Sequence, residues 1–327
     1  MFDLERFPRI PLGHGPTPLE PLDRLSAHLG GPRLWVKRDD CTGLALGGNK
    51  VRKLEFLLGE ARQDGADTVV TVGGVQSNHA RQTAAAAARL GLRCELVLPR
   101  IVDRHDALYE SNGNLLLDHL LGAHVHVVDD EEAAGEKVVK LLGAAEARGG
   151  KAAFFPSGGS TPTGALGYVR AAQELVGQCD DRGLNLARIT VATSSAGTLA
   201  GLLLGLRGLD RPIPVTGIAV YDDPRQTRER VIALADGTAT RLGIEPPDAD
   251  AIDIRGDELG PGYGQPTESM REALELCARL EGLLLDPVYS GKAMAGLIAM
   301  VRRGEIAKTD EALFWHTGGS PALFAYG

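Results

Sequence analysis

The chain has 327 residues, enough for one large or two ordinary domains, and 43% hydrophobic with 24% charged residues predicts a globular protein with a buried core. The net charge of −8 argues against a nucleic-acid-binding surface, because a phosphate backbone attracts an excess of lysine and arginine. No apolar run approaches the roughly 18 residues of a membrane helix. Residues 1–9 contain no apolar signal core, so we expect a cytoplasmic protein that does not bind membranes.

Short apolar runs alternate with longer amphipathic ones along the chain. The apolar runs predict strands at residues 34–37, 68–72, 94–98, 125–128, 152–155, 189–193, 215–220 and 312–316. The amphipathic stretches predict helices at residues 53–62, 80–90, 115–121, 132–147, 164–176, 199–206, 267–280 and 293–303. Residues 236–264, rich in Gly, Pro and Asp, are predicted to form an extended loop. This order predicts a mainly parallel α/β architecture.

The first candidate site is the segment from Gly47 to Lys50, which leads into a predicted helix. Its two glycines allow a tight turn and leave room for a flat ligand. A lysine at a helix start loses its proton more readily when it is partly desolvated near other cations, and such a lysine is suited to form a Schiff base. A solvated helix cap is the alternative interpretation of Lys50.

The second candidate site is the turn from Gly73 to His79, between a predicted strand and a predicted helix. Free backbone N–H groups and the positive end of the helix dipole would offer donors to a substrate carboxylate there. We therefore consider Gln76, Ser77 and Asn78 as candidate substrate ligands. A plain N-cap explains Ser77 or Asn78 equally well.

Further glycine and hydroxyl residues follow predicted strands later in the chain. The loop from Thr193 to Gly201 has the composition of a phosphate cradle, which ordinary strand-to-helix turns also share. Tyr289 and Thr317 lie in segments at likely strand ends, where open α/β sheets collect ligands. Tyr263, between two glycines, adds another phenol. For both tyrosines, packing in the core or at the rim is the alternative.

Three other kinds of site are rejected or ranked below these candidates. A Walker-type phosphate loop is rejected because Asn49 intervenes before Lys50 and no Ser or Thr follows. A dinucleotide-binding domain ranks last, because no Gly-x-Gly-x-x-Gly follows a strand in the required setting. His124 and His126 share a predicted strand face, but no third ligand lies at a recognisable spacing, so we predict no metal site.

Taken in order, these segments resemble the fold-type II pyridoxal-phosphate family that contains D-cysteine desulfhydrase, L-cysteate sulfo-lyase and 1-aminocyclopropane-1-carboxylate deaminase. The likeness covers nearly the whole chain and is carried by Pro16–Leu19, Lys37–Asp40, Gly47–Glu55, Gln76–Ala84, Gly164–Tyr168, Pro261–Gly264 and Leu323–Tyr326. It implies a tryptophan-synthase-β-like α/β fold with two open, twisted, mainly parallel sheets flanked by helices. It also implies a discontinuous large domain of residues 1–52 and 166–327, a small inserted domain of residues 53–165, and a homodimer.

The resemblance also implies roles for the candidate residues. Lys50 would bind pyridoxal 5′-phosphate covalently, Asn78 would hydrogen-bond the ring hydroxyl, and Thr317 would face the pyridine nitrogen. The implied phosphate loop consists of Ser195, Ala196, Gly197 and Thr198. The implied substrate ligands are Gln76, Ser77, Asn78, Tyr263 and Tyr289. The implied catalytic residues are Lys50, Ser77, Tyr263 and Tyr289.

The implied reaction is an elimination from a small amino acid. A hydroxyl such as Thr317 cannot hold the ring nitrogen protonated as a carboxylate would, so the ring is a weaker electron sink, which suits prompt expulsion of a β-substituent. Family members that open the cyclopropane ring carry glutamate after the tyrosine at this position, whereas this chain has Ser290. The resemblance therefore favours D-cysteine desulfhydrase, which forms pyruvate, sulfide and ammonia, with L-cysteate sulfo-lyase as the alternative. A 1-aminocyclopropane-1-carboxylate deaminase, an amino-acid racemase and a non-catalytic cofactor-binding protein are further alternatives.

Overall fold

The computed structural model describes residues 3–327, within which ten strands and twelve helices form an α/β protein. The strands are β1 Leu19–Pro21, β2 Arg33–Arg38, β3 Thr68–Val72, β4 Arg93–Pro99, β5 His124–Val128, β6 Ala152–Phe155, β7 Leu186–Thr193, β8 Val215–Ala219, β9 Asp253–Arg255 and β10 Glu311–His316. The helices are α1 Asp23–Leu29, α2 Lys50–Gln63, α3 Asn78–Leu90, α4 Ala107–Ser111, α5 Gly113–Leu120, α6 Glu131–Ala147, α7 Pro162–Arg182, α8 Gly197–Gly208, α9 Pro224–Leu242, α10 Glu268–Glu281, α11 Ser290–Arg302 and α12 Leu323–Tyr326. In this part of the chain, none of the helices is long and apolar enough to cross a membrane.

The strands form two open sheets. The larger sheet has the order β1-β2-β10-β7-β8-β9, and only β1 is antiparallel to its neighbour. The smaller sheet has the order β5-β4-β3-β6 and is parallel throughout. Alternate side chains of β10 enter opposite hydrophobic cores: Leu313 and Trp315 enter one, whereas Ala312 and Phe314 enter the other. Both faces of the larger sheet are thus buried, as helical crossovers between parallel strands require.

All eight predicted strands and all eight predicted helices are present, with bounds that differ by a few residues. The mainly parallel fold is therefore confirmed. The larger sheet takes its strands from residues 19–38 and 186–316, and the smaller sheet from residues 68–155. The domain limits at residues 52/53 and 165/166 stay a prediction.

The loop predicted at residues 236–264 is wrong in two places, because α9 continues to Leu242 and β9 forms at Asp253–Arg255. Asp236 and Gly237 suggest a turn when they are read locally. The buried residues of α9 nevertheless recur about once per helical turn and form a stripe. Tertiary packing of this stripe overrides the local turn propensity of Asp236 and Gly237. The buried residues are Thr227, Val231, Ala235, Thr238, Ala239 and Leu242.

A buried ion network joins α2 to the larger sheet. The Asp39 carboxylate, fully buried after β2, accepts hydrogen bonds from Arg52 at 2.8 and 3.0 Å, from Tyr168 Oη at 2.5 Å and from Trp315 Nε1 at 2.8 Å. Arg52 also donates to Glu174 of α7 at 2.9 and 3.0 Å. Every charge in this network has a charged or hydrogen-bonded partner, which offsets the cost of its desolvation.

Glu174 has a second cationic partner in this network, Lys37, whose Nζ lies 2.5 Å from Glu174 Oε1. Burial acts to raise the pKa of Glu174, but hydrogen bonds and charge from Arg52, followed by those from Lys37, lower it to about 2. A carboxyl whose pKa is depressed on folding stabilises the fold above its unfolded pKa and loses that contribution as the pH falls through its folded pKa.

Glu174→Gln is expected to lower the free energy of unfolding by about 3 kcal/mol at neutral pH, at about 1.4 kcal/mol per unit of pKa. The difference from wild type should shrink as the pH falls from about 4.5 toward about 2, because wild-type Glu174 is protonated over that range. Urea denaturation of the cofactor-free protein at several pH values measures this difference. Glu136→Gln, on the exposed face of α6, is the matched control and should change stability little at any pH. A difference for Glu174→Gln that does not vary with pH would contradict the assignment.

Candidate active site

A cavity of about 770 Å³ lies between the two sheets. Its wall includes residues at or just beyond the carboxyl ends of strands from both sheets, such as Gly73, Thr193 and Thr317, as is usual for ligand sites in open α/β folds. Helices α2, α3, α6, α7, α8 and α11 begin at this wall, so six helix N-termini converge on one space. Free N–H groups and positive dipole ends make such a space suited to an anionic ligand.

Lys50 is the first residue of α2 and lies half-buried in the cavity wall. Its Nζ donates to Asn49 Oδ1 at 2.8 Å and lies 6.0 Å from the centre of the Tyr289 ring. Burial, followed by the charge of Arg81, lowers the pKa of Lys50 to about 8, although Asp286 acts in the opposite direction. At neutral pH about one-tenth of this amine is therefore unprotonated and nucleophilic.

The loop before α8 has the geometry of an anion cradle. Ser195, Ala196 and Thr198 line the cavity, and Ala196 adopts a left-handed conformation with φ 71°, which is unusual for a residue with a side chain. Gly197 starts the helix directly behind them. Asn49 Nδ2 donates to Thr198 Oγ1 at 3.0 Å, so the loop is joined to the residue that precedes Lys50.

Lys53 is a residue of this cradle that the sequence analysis missed. It lies one helical turn after Lys50, is 1% exposed, and donates to Gly158 O and Ser160 Oγ, each at 3.1 Å. Burial lowers the pKa of Lys53 well below its usual range, and the charge of Lys50 lowers it further. An anion beside it would offset both effects. The spacing of three residues between the two lysines, which places them on one helix face, was the signal that could have revealed Lys53.

Ser77 and Asn78 both line the cavity at the start of α3. Ser77 is also the N-cap, since its Oγ accepts a hydrogen bond from Ala80 N at 3.1 Å. The two interpretations left open for Ser77 are therefore compatible, because an accepting hydroxyl still has a proton to donate. Gly73 makes room for it: a Cβ there would lie 2.4 Å from Ser77 Oγ.

Tyr263 and Tyr289 form a pair of phenols in the cavity wall, with their Oη atoms 2.5 Å apart. Burial raises the pKa of each phenol well above its usual value, so both are neutral at physiological pH. Since each Oη carries one proton and only one is used between them, the pair retains one O–H for a further acceptor.

The structure does not bring the Gln76 side chain to the cavity. Its Nε2 donates to Tyr109 O and Asn112 O, and its Oε1 accepts from Asn114 N. Its substrate-binding role stays a prediction and, on this geometry, would have to involve the backbone. Thr317 does line the cavity. Within residues 3–327, no group of three His, Cys, Asp or Glu residues is arranged to hold a metal ion.

The cavity fits pyridoxal phosphate. Its volume lies within the roughly 300 to 1,000 Å³ usual for cofactor sites. A reactive lysine lies on one wall, and a cradle of helix N–H groups, hydroxyls and Lys53 suits the phosphate. Two buried polar atoms of wall residues, Thr193 Oγ1 and His79 Nδ1, have no hydrogen-bond partner, as expected where a polar ligand binds. Fold and site together define a cofactor-dependent α/β enzyme of the two-sheet type.

Comparisons with known proteins agree. The family model described as "Pyridoxal-phosphate dependent enzyme" matches residues 10–318. A D-cysteine desulfhydrase of Klebsiella pneumoniae is 46% identical over 324 residues, covering 99% of this chain and 98% of the relative. A 1-aminocyclopropane-1-carboxylate deaminase of Methylobacterium nodulans is 44% identical over 330 residues, with the same coverage.

Solved structures show the same architecture. One described as an ACC deaminase homologue superposes with a TM-score of 0.90 at 38% identity, covering 99% of this chain and 95% of the other. An O-ureido-L-serine synthase superposes with a TM-score of 0.68 at 17% identity, covering 97% of this chain and 92% of the other, and shares the fold. The chain belongs to the pyridoxal-phosphate-dependent enzyme family, which confirms the cofactor, the enzyme class and the fold expected from the sequence.

Gly197→Ala is expected to weaken cofactor binding by about tenfold or more, because overpacking costs roughly 1–3 kcal/mol. The added Cβ would lie 2.7 Å from Ser160 Oγ and 2.9 Å from Lys53 Nζ, inside the cradle. Titration of cofactor-free protein with pyridoxal phosphate measures the affinity. Gly177→Ala, in an exposed turn of α7 with nothing within 4 Å of the new Cβ, is the control and should leave the affinity unchanged. Equal affinities for the two variants would contradict the placement of the phosphate.

Proposed function

We propose that the protein is a carbon–sulfur lyase that converts D-cysteine and water to pyruvate, sulfide and ammonia. The pair of neutral phenols beside Lys50 carries this proposal, because it offers a hydrogen bond to a leaving sulfur without offering a charge. The 46% identity to a D-cysteine desulfhydrase over nearly the whole of both chains supports the same substrate.

Bound pyridoxal phosphate supplies an electron-withdrawing ring that makes the Cα–H bond of an attached amino acid acidic. Lys50 is then the base, since its amine, with a pKa of about 8, takes the Cα proton near neutral pH. Asn78 would donate to the ring hydroxyl, and the Thr317 hydroxyl would face the ring nitrogen. The Ser195–Thr198 loop and Lys53 would hold the phosphate.

Ser77 and the N-terminus of α3 would bind the substrate carboxylate. The Ser77 hydroxyl proton is free to donate because its oxygen accepts from Ala80 N. Backbone N–H groups at a helix start add further donors and a favourable dipole. This arrangement fixes the amino acid at its carboxylate and leaves its β-substituent toward the opposite wall.

Tyr263 and Tyr289 would border that substituent. When the Cβ–S bond breaks, the sulfur would leave as hydrosulfide with the bonding electron pair, and the free O–H of the pair would donate a hydrogen bond to it. Because their pKa values are raised, both phenols keep their protons, so this hydrogen bond stabilises the leaving group without adding a charge to the cavity. Of the two phenols, Tyr289 lies close to Lys50, so the proposed base and the proposed hydrogen-bond donor lie on the same side of the cavity.

The charges in the cavity wall favour a thiol over a sulfonate. Besides Lys50, the cationic wall residue among residues 3–327 is Arg230, which pairs with Asp222 and donates to Ser194 O at 2.8 Å. Burial, followed by the charges of Lys50 and Lys53, lowers the pKa of His79, so this ring is neutral. A sulfonate would thus have to shed its hydration without gaining a free cation.

Ser290 offers no ionisable group to a cyclopropane substrate. It is 1% exposed, and its hydroxyl donates to Asp286 Oδ2 at 2.5 Å and accepts from Asp286 N at 2.7 Å. The Asp286 carboxylate in turn accepts hydrogen bonds from Tyr289 N and Ser290 N at the start of α11. We therefore place deamination of the cyclopropane amino acid below elimination from cysteine, and we retain homodimer formation and a cytoplasmic location as predictions.

The purified holoenzyme is expected to release pyruvate and sulfide from D-cysteine, with less keto acid from L-cysteate, L-cysteine or 1-aminocyclopropane-1-carboxylate. Lys50→Ala should lose both the visible absorbance of the bound cofactor and this activity, because the covalent link and the base are removed together. Coupled keto-acid and sulfide assays measure the reaction, and chiral chromatography of recovered substrate detects racemisation. Sulfite from L-cysteate as the main product would assign the sulfo-lyase reaction instead. A cofactor-bound protein inactive on all four amino acids would refute lyase activity on these substrates.

A further inference from the structure

A chain of buried polar side chains runs behind Asn78, away from the cavity. Asn78 Oδ1 accepts hydrogen bonds from Asn114 Nδ2 at 3.1 Å and from Arg81 Nη1 at 3.4 Å. Arg81 and Asn114 are each 0% exposed. Both lone pairs of the Asn78 carbonyl are therefore occupied from within the protein.

The direction of these hydrogen bonds is determined by Arg81, because a guanidinium can only donate. Asn114 must turn its Oδ1 toward Arg81 Nη1, 3.0 Å away, and its Nδ2 in the other direction. That Nδ2 meets the backbone oxygen of Gln76 at 3.0 Å, which can only accept, so the orientation of the Asn114 amide is determined from both sides. Asn78 then has to present its oxygen to Asn114.

The remaining group, Asn78 Nδ2, is left for the cavity that Asn78 lines. We propose that Arg81 and Asn114 are positioning residues that orient the Asn78 amide so that it presents an N–H donor, and not a carbonyl, to the ring hydroxyl oxygen of the cofactor. This inference rests on the proposed role of Asn78. Without the two residues, an asparagine amide can rotate by half a turn with little change in shape, and the cofactor would meet an acceptor.

The cost of burying Arg81 indicates a purpose beyond packing. Its Nε has no hydrogen-bond partner, and both carboxylate oxygens of Asp118, whose charge acts on Arg81, are unpartnered as well. A buried guanidinium left partly unsatisfied is destabilising compared with an apolar side chain of similar size. Arg81 Nη2 also donates to Gly47 O at 2.7 Å, which joins α3 to the turn that carries Lys50.

Asn114→Asp is the sharpest test, because an ionised aspartate can only accept. It would keep the hydrogen bond from Arg81 but draw Asn78 Nδ2 toward itself, which turns the Asn78 oxygen to the cofactor. We expect pyridoxal phosphate to bind the cofactor-free variant at least about tenfold more weakly, as is common when a ligand's supporting hydrogen bond is lost. We also expect the visible absorbance of the bound cofactor to shift.

Asn112→Asp is the matched control, two residues away on the same segment. Asn112 Oδ1 accepts from Gly113 N at 2.8 Å, a hydrogen bond that aspartate preserves, and its side chain does not touch Asn78. This variant makes the same chemical change and should keep the wild-type affinity and spectrum within about twofold.

A second pair of variants tests whether the donor-only side chain of Arg81 determines the orientation of the Asn114 and Asn78 amides. Arg81→Lys keeps a donor-only cation, whereas Arg81→Gln offers an amide that can reverse. We expect the lysine variant to retain the wild-type cofactor spectrum more closely than the glutamine variant. This pair decides the question if Asn114→Asp does not fold.

Thermal unfolding of the cofactor-free variants distinguishes a positioning role of the network from a purely structural one. A lower melting temperature in Asn114→Asp with unchanged cofactor affinity and spectrum would overturn the proposal, because the network would then only hold α3 against α5. If the wild type binds the cofactor and Asn114→Asp has the same cofactor affinity and spectrum, this inference alone is refuted. A wild type without cofactor absorbance would refute the site assignment and the inference together.

Discussion

The position of the N-terminal end of α2, at the active site, depends on the carboxylate of Asp39. It lies fully buried after β2 and accepts hydrogen bonds from Arg52, Tyr168 and Trp315, which belong to α2, α7 and β10. Because α2 begins at Lys50, holding Arg52 half a turn later also determines where the lysine amine lies. A charge network outside the cavity thus helps to set the position of the proposed catalytic base.

The second constraint is how an acidic protein holds an anionic cofactor. The chain carries a net charge of −8, and its cradle consists mainly of backbone N–H groups, hydroxyls and the single buried cation Lys53. Helix N-termini concentrate positive potential within a few ångströms, so the phosphate is attracted locally without a basic surface. The same geometry at α3 would serve the proposed substrate carboxylate. The N-termini of several helices would therefore supply most of the anion binding in this site.

Local sequence patterns predicted the sheet strands well, because apolar runs such as residues 68–72 and 189–193 must be buried on both faces of a parallel sheet. They failed for α9, where Asp236 and Gly237 interrupt a helix that packing against the core restores. They also located Lys50, Ser77 and Asn78 as parts of glycine-rich turns that precede helices. The resemblance to a family then supplied roles that composition and spacing could not.

The sequence by itself determined the order of elements, the parallel fold and the family, since hydrophobic period and ordered motifs are properties of neighbouring residues. Only the tertiary structure decided which side chains meet. Lys53 reaches Ser160 across 107 positions, and Asn114 orients Asn78 across 36. It likewise turned Gln76 away from the cavity and committed Ser290 to Asp286. Such pairings depend on how helices from distant parts of the chain pack around one space, and no local pattern encodes that distance.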